Sequence, residues 1–299
     1  MRIFARKWID SVFVIIFWFL VPVSTFAQEV IRDYVKNGSE QVGSVSLDAT
    51  DWSDLEGLGG AIADARVVML GEQDHGDAAC MAAKSRIIRY LHERKGFNVL
   101  AMEASFWGLN YSYNGVGVDS LYQKQLKQIY PFWTHCDAAN PLFYSYIPST
   151  HTSSNPLMLA GLDNKAPFGQ SWSTCEAALK SMGIPFLSSP AYTDELLPTL
   201  EQWLKDKKDT GLAARTIHLL RELRDQFAVH LEKDDFWVYY LDNQVATVKE
   251  LSSGLSYWDR ANYRDRQMAA NLRWLLDVRY KDEKIIVWAA NAHISKYAG

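Results

Sequence analysis

Two short apolar runs separated by an amphipathic stretch constrain the fold of this chain most strongly. "RVVMLG" (66–71) and "FNVLAME" (97–103) have the length and β-branched content of buried strands. The segment between them carries apolar residues at helical spacing, and it predicts Asp77 as the N-cap and Gly96 as the C-cap of a helix. A helical crossover of this length joins parallel strands. We therefore expect an α/β fold with a mostly parallel sheet and flanking helices.

Two later runs predict further strands of the same sheet, "PLMLAGLD" (156–163) and "EKIIVWAANAH" (283–293). Helical spacing recurs between the strands, at 119–130, 193–208, 212–232 and 262–280. The block of about 190–280 has no strand pattern, so we expect a helical insertion that could form a wall or lid over the strand ends. The predicted organisation is an N-terminal extension (28–60) and one α/β domain (61–299).

The N-terminus has the pattern of a secretory signal peptide. Arg2, Arg6 and Lys7 precede the apolar run "SVFVIIFWFLVPVSTFA", which ends in small residues. We predict that residues 1–27 are removed and that the mature chain is secreted or periplasmic, without a membrane segment. An uncleaved N-terminal anchor is the alternative, although the run is short for a span.

Charge and cysteine content exclude several classes of partner. The chain has 31 Lys and Arg against 35 Asp and Glu, a net charge of −4, and its acids and bases are interspersed. No basic stripe marks a nucleic-acid or lipid partner, so the expected partner is a small molecule. Cys80, Cys136 and Cys175 have no metal-binding or redox spacing and allow one disulfide at most.

Acids and histidines follow the predicted strands where each strand ends. Glu72 and His75 lie in "GEQDHGD", between two glycines whose backbone freedom would let both side chains point into a crevice. Glu103 ends the second strand and His293 the last. In open parallel sheets, ligands bind outside the carboxyl ends of the strands, which favours a functional site here. The structural alternatives are a hydrogen-bonded turn histidine and an ion pair of Glu103 with Lys84 or Arg86.

Three further charged residues have less specific patterns. Asp163 ends the third predicted strand and would either orient a histidine or cap a loop. Arg264 and Asp265 lie near the start of a predicted helix, where an exposed ion pair would contribute little. The chain has no GxSxG elbow, P-loop or GxGxxG motif. Water activated by a histidine base, or by a metal held by His and Glu, therefore remains.

These residues also carry a resemblance to the erythromycin esterase family. It rests on "VVMLGEQDHGDAACMAAKSRIIRYLHERKGFNVLAMEAS", "LMLAGLD", "NYRDRQMAANLRWLL" and "KIIVWAANAH". The resemblance implies hydrolysis of macrolide lactones by water, with neither a covalent intermediate nor a metal cofactor. It places Glu72 and His75 in the first active-site loop and Glu103 at the end of the second strand. It makes His293 the late histidine, Lys84 the basic residue of the following helix, and Arg264 and Asp265 the arginine–aspartate pair.

The chain departs from the family pattern in three places. Gln73 and Asp74 replace the usual alanine and threonine, and "AACMAA" replaces an aromatic-rich segment. The chain ends at Gly299, six residues after His293, where family members continue. We therefore expect either a shortened member or a fragment.

The leading hypothesis is an ester or lactone hydrolase in which His75 is the general base and Glu72 or Glu103 fixes its tautomer. His293 would be a second acid or base or an oxyanion donor, and Lys84 or Arg264 would stabilise negative charge. One alternative is a metallohydrolase that uses His75, Glu103 and His293. The other is a protein that binds a ligand in the same crevice without turnover.

Overall fold

The computed structural model describes residues 28–111, 116–165, 168–232, 234–252 and 254–294, with the side chains of 168–170 left aside. The predicted signal peptide (1–27) lies outside the described residues. Within them, no helix is both long enough and apolar enough to cross a membrane. All three cysteines are described and free.

Four parallel strands form one sheet, as the crossover pattern predicts. They are β1 (Val67–Glu72), β2 (Phe97–Ser105), β3 (Met158–Asp163) and β4 (Lys284–Ala290). The order across the sheet is β1-β4-β2-β3, so the strand that comes last along the described chain lies between β1 and β2. Since all strands are parallel, their carboxyl ends meet at one edge.

Helices surround this sheet. They are α1 (described part 28–38), α2 (Glu56–Ile62), α3 (Ala78–Lys95), α4 (Phe106–Asn110), α5 (Val118–Leu126), α6 (Pro131–Thr134), α7 (Ile147–Thr150), α8 (Phe168–Ser181), α9 (Leu197–Lys205), α10 (Thr210–His230), α11 (Phe236–Leu251), α12 (Tyr257–Trp274) and α13 (Asn291–Ile294). Short 3-10 turns occupy Ser53–Leu55 and Pro185–Ser188, and π-helical turns occupy Leu142–Tyr146, Ala191–Leu196 and Leu275–Arg279.

Helix α3 has the two caps that its sequence predicts. The Asp77 side chain accepts hydrogen bonds from the backbone N–H groups of Ala79 and Cys80 at 3.0 and 3.1 Å. At the other end, Gly96 has φ of 71°, a conformation that favours glycine. The caps fix where the helix begins and ends, and so where the preceding loop leaves β1.

Both faces of the sheet are covered over β2, β3 and β4, whereas Met69 of the edge strand β1 is 47% exposed. On one face, Leu100, Met102, Ile286 and Trp288 pack with α3 and with the segment from α5 to α7. On the other, strand residues pack against Met268 and Trp274 of α12 and its continuation. Complete burial of one such side chain contributes about 1.5–3 kcal/mol, so the two layers hold the sheet edge in place.

The helices between β3 and β4 form a second cluster. Residues from α8 to α11 pack around Trp203, Leu220 and Tyr240, all fully buried. Helix α12 differs, because it belongs to the layer that packs directly on the sheet. The block predicted as one insertion therefore contains both a separate helical cluster and part of the α/β core.

The end of the last strand differs from the sequence expectation. The predicted strand runs to His293, but β4 ends at Ala290 and His293 lies in α13. The turn brings α13 against β1, and a Cβ on Gly71 would overlap the Asn291 side chain. Neither Gly71 nor Gly76 has a positive φ, so the interpretation of these glycines by backbone freedom is wrong. The side chains of Asn291 and Ile294 in α13 approach Gly71 closely, so a larger residue at 71 would have to displace them.

Candidate functional site

Glu72, the last residue of β1, is a buried carboxylate with four donors. Its Oε1 accepts from Nδ1 of His75 at 2.7 Å and from Nε1 of Trp133 at 2.9 Å. Its Oε2 accepts from Nζ of Lys84 and from Nε1 of Trp288, both at 2.9 Å. The side chain is 1% exposed. A buried carboxylate is tolerated when its lone pairs are filled in this way.

These contacts decide the charge of the pair formed by Glu72 and Lys84. Burial alone would raise the pKa of Glu72, but hydrogen bonds from Trp288, Lys84 and His75 outweigh burial and lower it. Burial lowers the pKa of Lys84, although Glu72 acts in the opposite direction. Lys84 also lies 4.9 Å from the centre of the Trp288 ring, a cation–π distance. Glu72 is therefore a fixed negative charge beneath the loop.

His75 lies above this carboxylate with one ring nitrogen available. Nδ1 donates to Glu72, and no described residue bonds to Nε2. The side chain is 41% exposed. Phe132 stacks on the imidazole at 4.4 Å with a 25° interplanar angle, and Trp133 meets its edge at 5.5 Å. The carboxylate fixes the tautomer and the aromatic rings fix the plane, which leaves Nε2 in contact with solvent.

Glu103 lies where β2 departs from regular pairing. The register of β2 against β3 shifts between Met102 and Ser105. Such an irregularity changes the direction of a side chain, and Oε2 of Glu103 accepts the backbone N–H of Ala290 at 2.9 Å. Oε1 accepts from Nη2 of Arg264 at 2.7 Å. Burial would raise the pKa of Glu103, but His293, Arg264 and the Ala290 N–H outweigh burial and lower it to about 2.

Asp163 and Arg264 form the base of this second cluster. Nε and Nη2 of Arg264 donate to the two carboxylate oxygens of Asp163 at 3.0 and 2.6 Å. The two-point geometry fits a guanidinium to a carboxylate, and Asp163 is fully buried. Burial lowers the pKa of Arg264, but Asp163 and Glu103 raise it further than burial lowers it. Asp163, left open between orienting a histidine and capping a loop, binds this arginine.

His293 completes the second cluster from α13. Nδ1 lies 2.6 Å from Oδ1 of Asp265, and Nε2 lies 3.3 Å from Oε1 of Glu103. Burial lowers the pKa of His293, but the two carboxylates outweigh burial and raise it to about 9. Arg264 opposes this, because its Nη1 is 2.7 Å from Nε2 and a guanidinium only donates. Protonation of His293 therefore requires Nε2 to turn from Arg264 towards Glu103.

The two clusters flank the end of β4. Glu72 is in register with Ala290, whose N–H donates to Glu103. An aromatic segment also connects them, because Tyr130 stacks on Phe132 at 5.4 Å and its hydroxyl donates to Asp163 at 3.2 Å. The strand order places both clusters at the same edge, with one strand between them.

The structure divides the sequence-predicted residues into these two groups. Glu72, His75 and Lys84 form the first, and Glu103, Asp163, Arg264, Asp265 and His293 form the second. Glu103 forms an ion pair with neither Lys84 nor Arg86; its partner is Arg264. Arg86 binds Asp54 at 2.6 Å instead.

Sequence reasoning misses the two tryptophans that donate to Glu72. Trp133 and Trp288 are fully buried, and each uses its only donor on this carboxylate. A signal exists for Trp288, because it lies in the predicted last strand, three residues before the polar end begins at Asn291. Trp133 lies in the one-turn helix α6, whose position no local pattern predicts.

The donor set does not fit a metal centre of the predicted type. Within the described ranges, no three His, Cys, Asp or Glu side chains are grouped as a metal ion needs. Of the predicted ligands, His75 belongs to the Glu72 cluster, whereas Glu103 and His293 face Arg264. The guanidinium of Arg264 therefore lies between Glu103 and His293, in the place that a metal ion bound by both residues would need.

Comparison with known proteins identifies the family. The family model for erythromycin esterase matches residues 92–298. The chain belongs to the erythromycin esterase family. The matched part contains Glu103 and the rest of the second cluster, while Glu72, His75 and Lys84 precede it.

One relative of known sequence is similar to most of this chain. The chain is 29% identical over 279 residues to "Putative hydrolase YbfO" of Bacillus subtilis (strain 168), which covers 84% of this chain. It spans 61% of the length of that relative.

Two solved structures share the fold. One is a succinoglycan biosynthesis protein with 18% identity and a TM-score of 0.64, covering 89% of this chain and 67% of its own. The other is a mutant of the erythromycin esterase EreC in its open conformation, with 20% identity and a TM-score of 0.56, covering 83% and 66%.

Proposed function

We propose that this family member hydrolyses carboxylic esters, with a macrolide-type lactone as the substrate, through water activated by His75. The observation that carries the proposal is the 2.7 Å hydrogen bond from Nδ1 of His75 to buried Glu72, which leaves Nε2 without a partner among the described residues on a side chain that is 41% exposed. This is the geometry of a general base whose tautomer is fixed by a carboxylate. The name of the family supports the lactone as substrate.

The proposed reaction balances with water alone. Nε2 of His75 takes a proton from water, and the hydroxide oxygen bonds to the ester carbonyl carbon. The tetrahedral intermediate then expels the alkoxide oxygen as the carbon–oxygen bond breaks, and the imidazolium returns its proton to that oxygen. Glu72 stabilises the imidazolium through Nδ1. The products are a carboxylic acid and an alcohol, which for a lactone are two ends of one opened ring.

His75 is the better candidate for the base than His293. Nδ1 of His293 is bound to Asp265, and Nε2 lies against Arg264 and Glu103, so neither ring nitrogen is available to take a proton from water. Although burial lowers its pKa, the two carboxylates raise it overall, which disfavours a neutral base. We assign His293 as a positioning residue that holds Glu103 and Arg264 at the strand ends, with Asp265 as its partner, in place of the expected oxyanion donor.

Lys84 and Arg264 differ from their expected role. The Lys84 and Arg264 side chains are only 5% and 10% exposed. Lys84 is already paired with Glu72, and Arg264 with Glu103 and Asp163, so neither is free to bind a developing negative charge on the substrate. We propose that they keep the carboxylates ionised and in place, and that they act on the reaction through the two histidines.

The experiment is incubation of residues 28–299 with a 14-membered macrolide, with mass spectrometry for the addition of one water. His75→Ala and Glu72→Gln are the test variants, and His218→Ala removes an exposed histidine on α10 as the control. Water addition by the wild type and the control, lost in His75→Ala, supports the proposal. No product from a folded wild type contradicts the macrolide substrate.

Two further arms separate the alternatives. A chelator that abolishes turnover would favour the metallohydrolase, whereas the proposed mechanism predicts unchanged turnover. Macrolide binding without turnover, equal in wild type and His75→Ala, would favour a binding protein. We also propose export through residues 1–27, and N-terminal sequencing of the protein recovered from the host periplasm tests that cleavage.

A further inference from the structure

A basic cleft lies between α10, α11 and α12, and its lining residues have no role in the catalytic proposal. It has a volume of about 580 Å³. This lies within the range of small-molecule sites, about 300–1,000 Å³. Its cations are Arg221 and Arg224 of α10, Lys249 of α11 and Arg266 of α12. Two acids, Asp234 and Asp242, also line it, so the lining is net positive on a chain whose net charge is −4.

Three of the four cations have no carboxylate partner. Arg224 is neutralised by Asp242 at 3.1 Å and by Asp225 at 3.2 Å. For Arg221, Lys249 and Arg266, no carboxylate of the described residues lies within ion-pair distance. Burial lowers the pKa of Lys249 and Arg221 lowers it further by repulsion, while Asp242 opposes both effects without reversing them. Asp234 and Asp242 only partly offset the four cations of the cleft, and a bound anion would offset the remaining positive charge.

An aromatic ring lies among these cations. Lys249 Nζ is 5.7 Å from the centre of the Tyr263 ring, and Arg266 Cζ is 5.9 Å from it. Tyr263 is half-buried, and Tyr239 lines the same cleft. Small side chains, Ala246 and Ala270, leave room between the helices. The cleft thus combines positive charge with a flat apolar surface.

We propose that this cleft binds an organic phosphate of about nucleotide size. Arg221, Lys249 and Arg266 bind its phosphate, and Tyr263 packs against its ring. Multiple cations favour a phosphate over a single carboxylate, because a phosphate carries more charge and more acceptor oxygens. The inference is independent of the esterase proposal, since none of these residues belongs to the two clusters at the strand ends.

The test measures binding by calorimetry at low salt with AMP, adenosine and pyrophosphate. AMP and adenosine share a ring and differ in the phosphate, and pyrophosphate has no ring. We expect AMP to bind at least about tenfold more tightly than adenosine, and also more tightly than pyrophosphate. This comparison uses the unaltered protein and does not depend on whether any variant folds.

Variants then locate the site. The double variant Arg221→Gln/Lys249→Gln should weaken AMP binding by about tenfold or more. The control double variant Lys205→Gln/Arg215→Gln removes two positive charges outside the cleft and should change AMP affinity less than about twofold. Tyr263→Leu should weaken AMP but not pyrophosphate. Absence of saturable AMP binding, equal binding of adenosine, or equal effects of the two double variants would overturn the proposal.

Discussion

Nζ of Lys84 donates to Oε2 of Glu72 across 2.9 Å, and the two side chains are only 5% and 1% exposed. Removal of one partner from a buried pair leaves an uncompensated charge, at a cost of about 3–5 kcal/mol. We expect Lys84→Met to lower the free energy of unfolding by about that amount, measured by urea denaturation. Lys180→Met breaks an exposed pair with Glu176 and should cost about 0.5 kcal/mol or less. Similar losses for the two variants would show that the buried pair has no special role.

Phe132 is a positioning residue for His75. The stacked contact is 4.4 Å between ring centres, and Phe132 is itself 40% exposed. An aromatic pair contributes about 0.5–1.5 kcal/mol, so Phe132→Leu should lower kcat about 2- to 12-fold with little change in unfolding midpoint. Phe132→Trp keeps the stack and should recover most of the rate. Equal rates for the leucine and tryptophan variants would contradict a positioning role.

Much of the fold follows from local patterns, whereas the site depends on contacts between distant residues. The strands, the caps of α3 and the parallel sheet follow from periodicity and from Asp77 and Gly96. Neither the partition of the acids and histidines nor the strand order follows from such patterns. Glu72 is 216 residues from its donor Trp288, and Arg264 is 161 residues from Glu103. Helical periodicity also does not reveal that α12 packs directly on the sheet.

The charge of His293 predicts a pH dependence of stability. Its pKa is raised from 6.5 to about 9 in the folded chain, so the folded state binds the proton more tightly than the unfolded state. The resulting stability is fully present below the unfolded pKa and is lost as pH rises through about 9. We expect His293→Gln to lower the free energy of unfolding most near neutral pH and below, and least in alkaline buffer. Urea titrations across this range measure the difference, and a pH-independent loss would rule out this account.

Gly71 couples β1 to the helix that carries His293. A Cβ at this position would overlap the Asn291 side chain and press on Ile294. Gly71→Ala should force the side chains of Asn291 and Ile294 out of their positions, and we expect this to lower stability and esterase activity. Addition of Asn291→Gly should recover part of each, because it removes the overlapping atoms. Gly60→Ala, where a Cβ meets open space, is the matched control. If Asn291→Gly gives no recovery, the overlap is not the cause.

The place of β4 in the sheet has a consequence for biosynthesis. β4 (residues 284–290) lies between β1 and β2 in the sheet. The two clusters of the proposed site therefore cannot come together until the ribosome has made about 290 residues. Strands that are far apart in sequence pair slowly, because the entropy of closing the long loop is lost before any stabilising contact forms. A nascent chain therefore exposes two unpaired strand edges for most of its synthesis. Any truncation upstream of β4 should yield an aggregating polypeptide rather than a weakened enzyme.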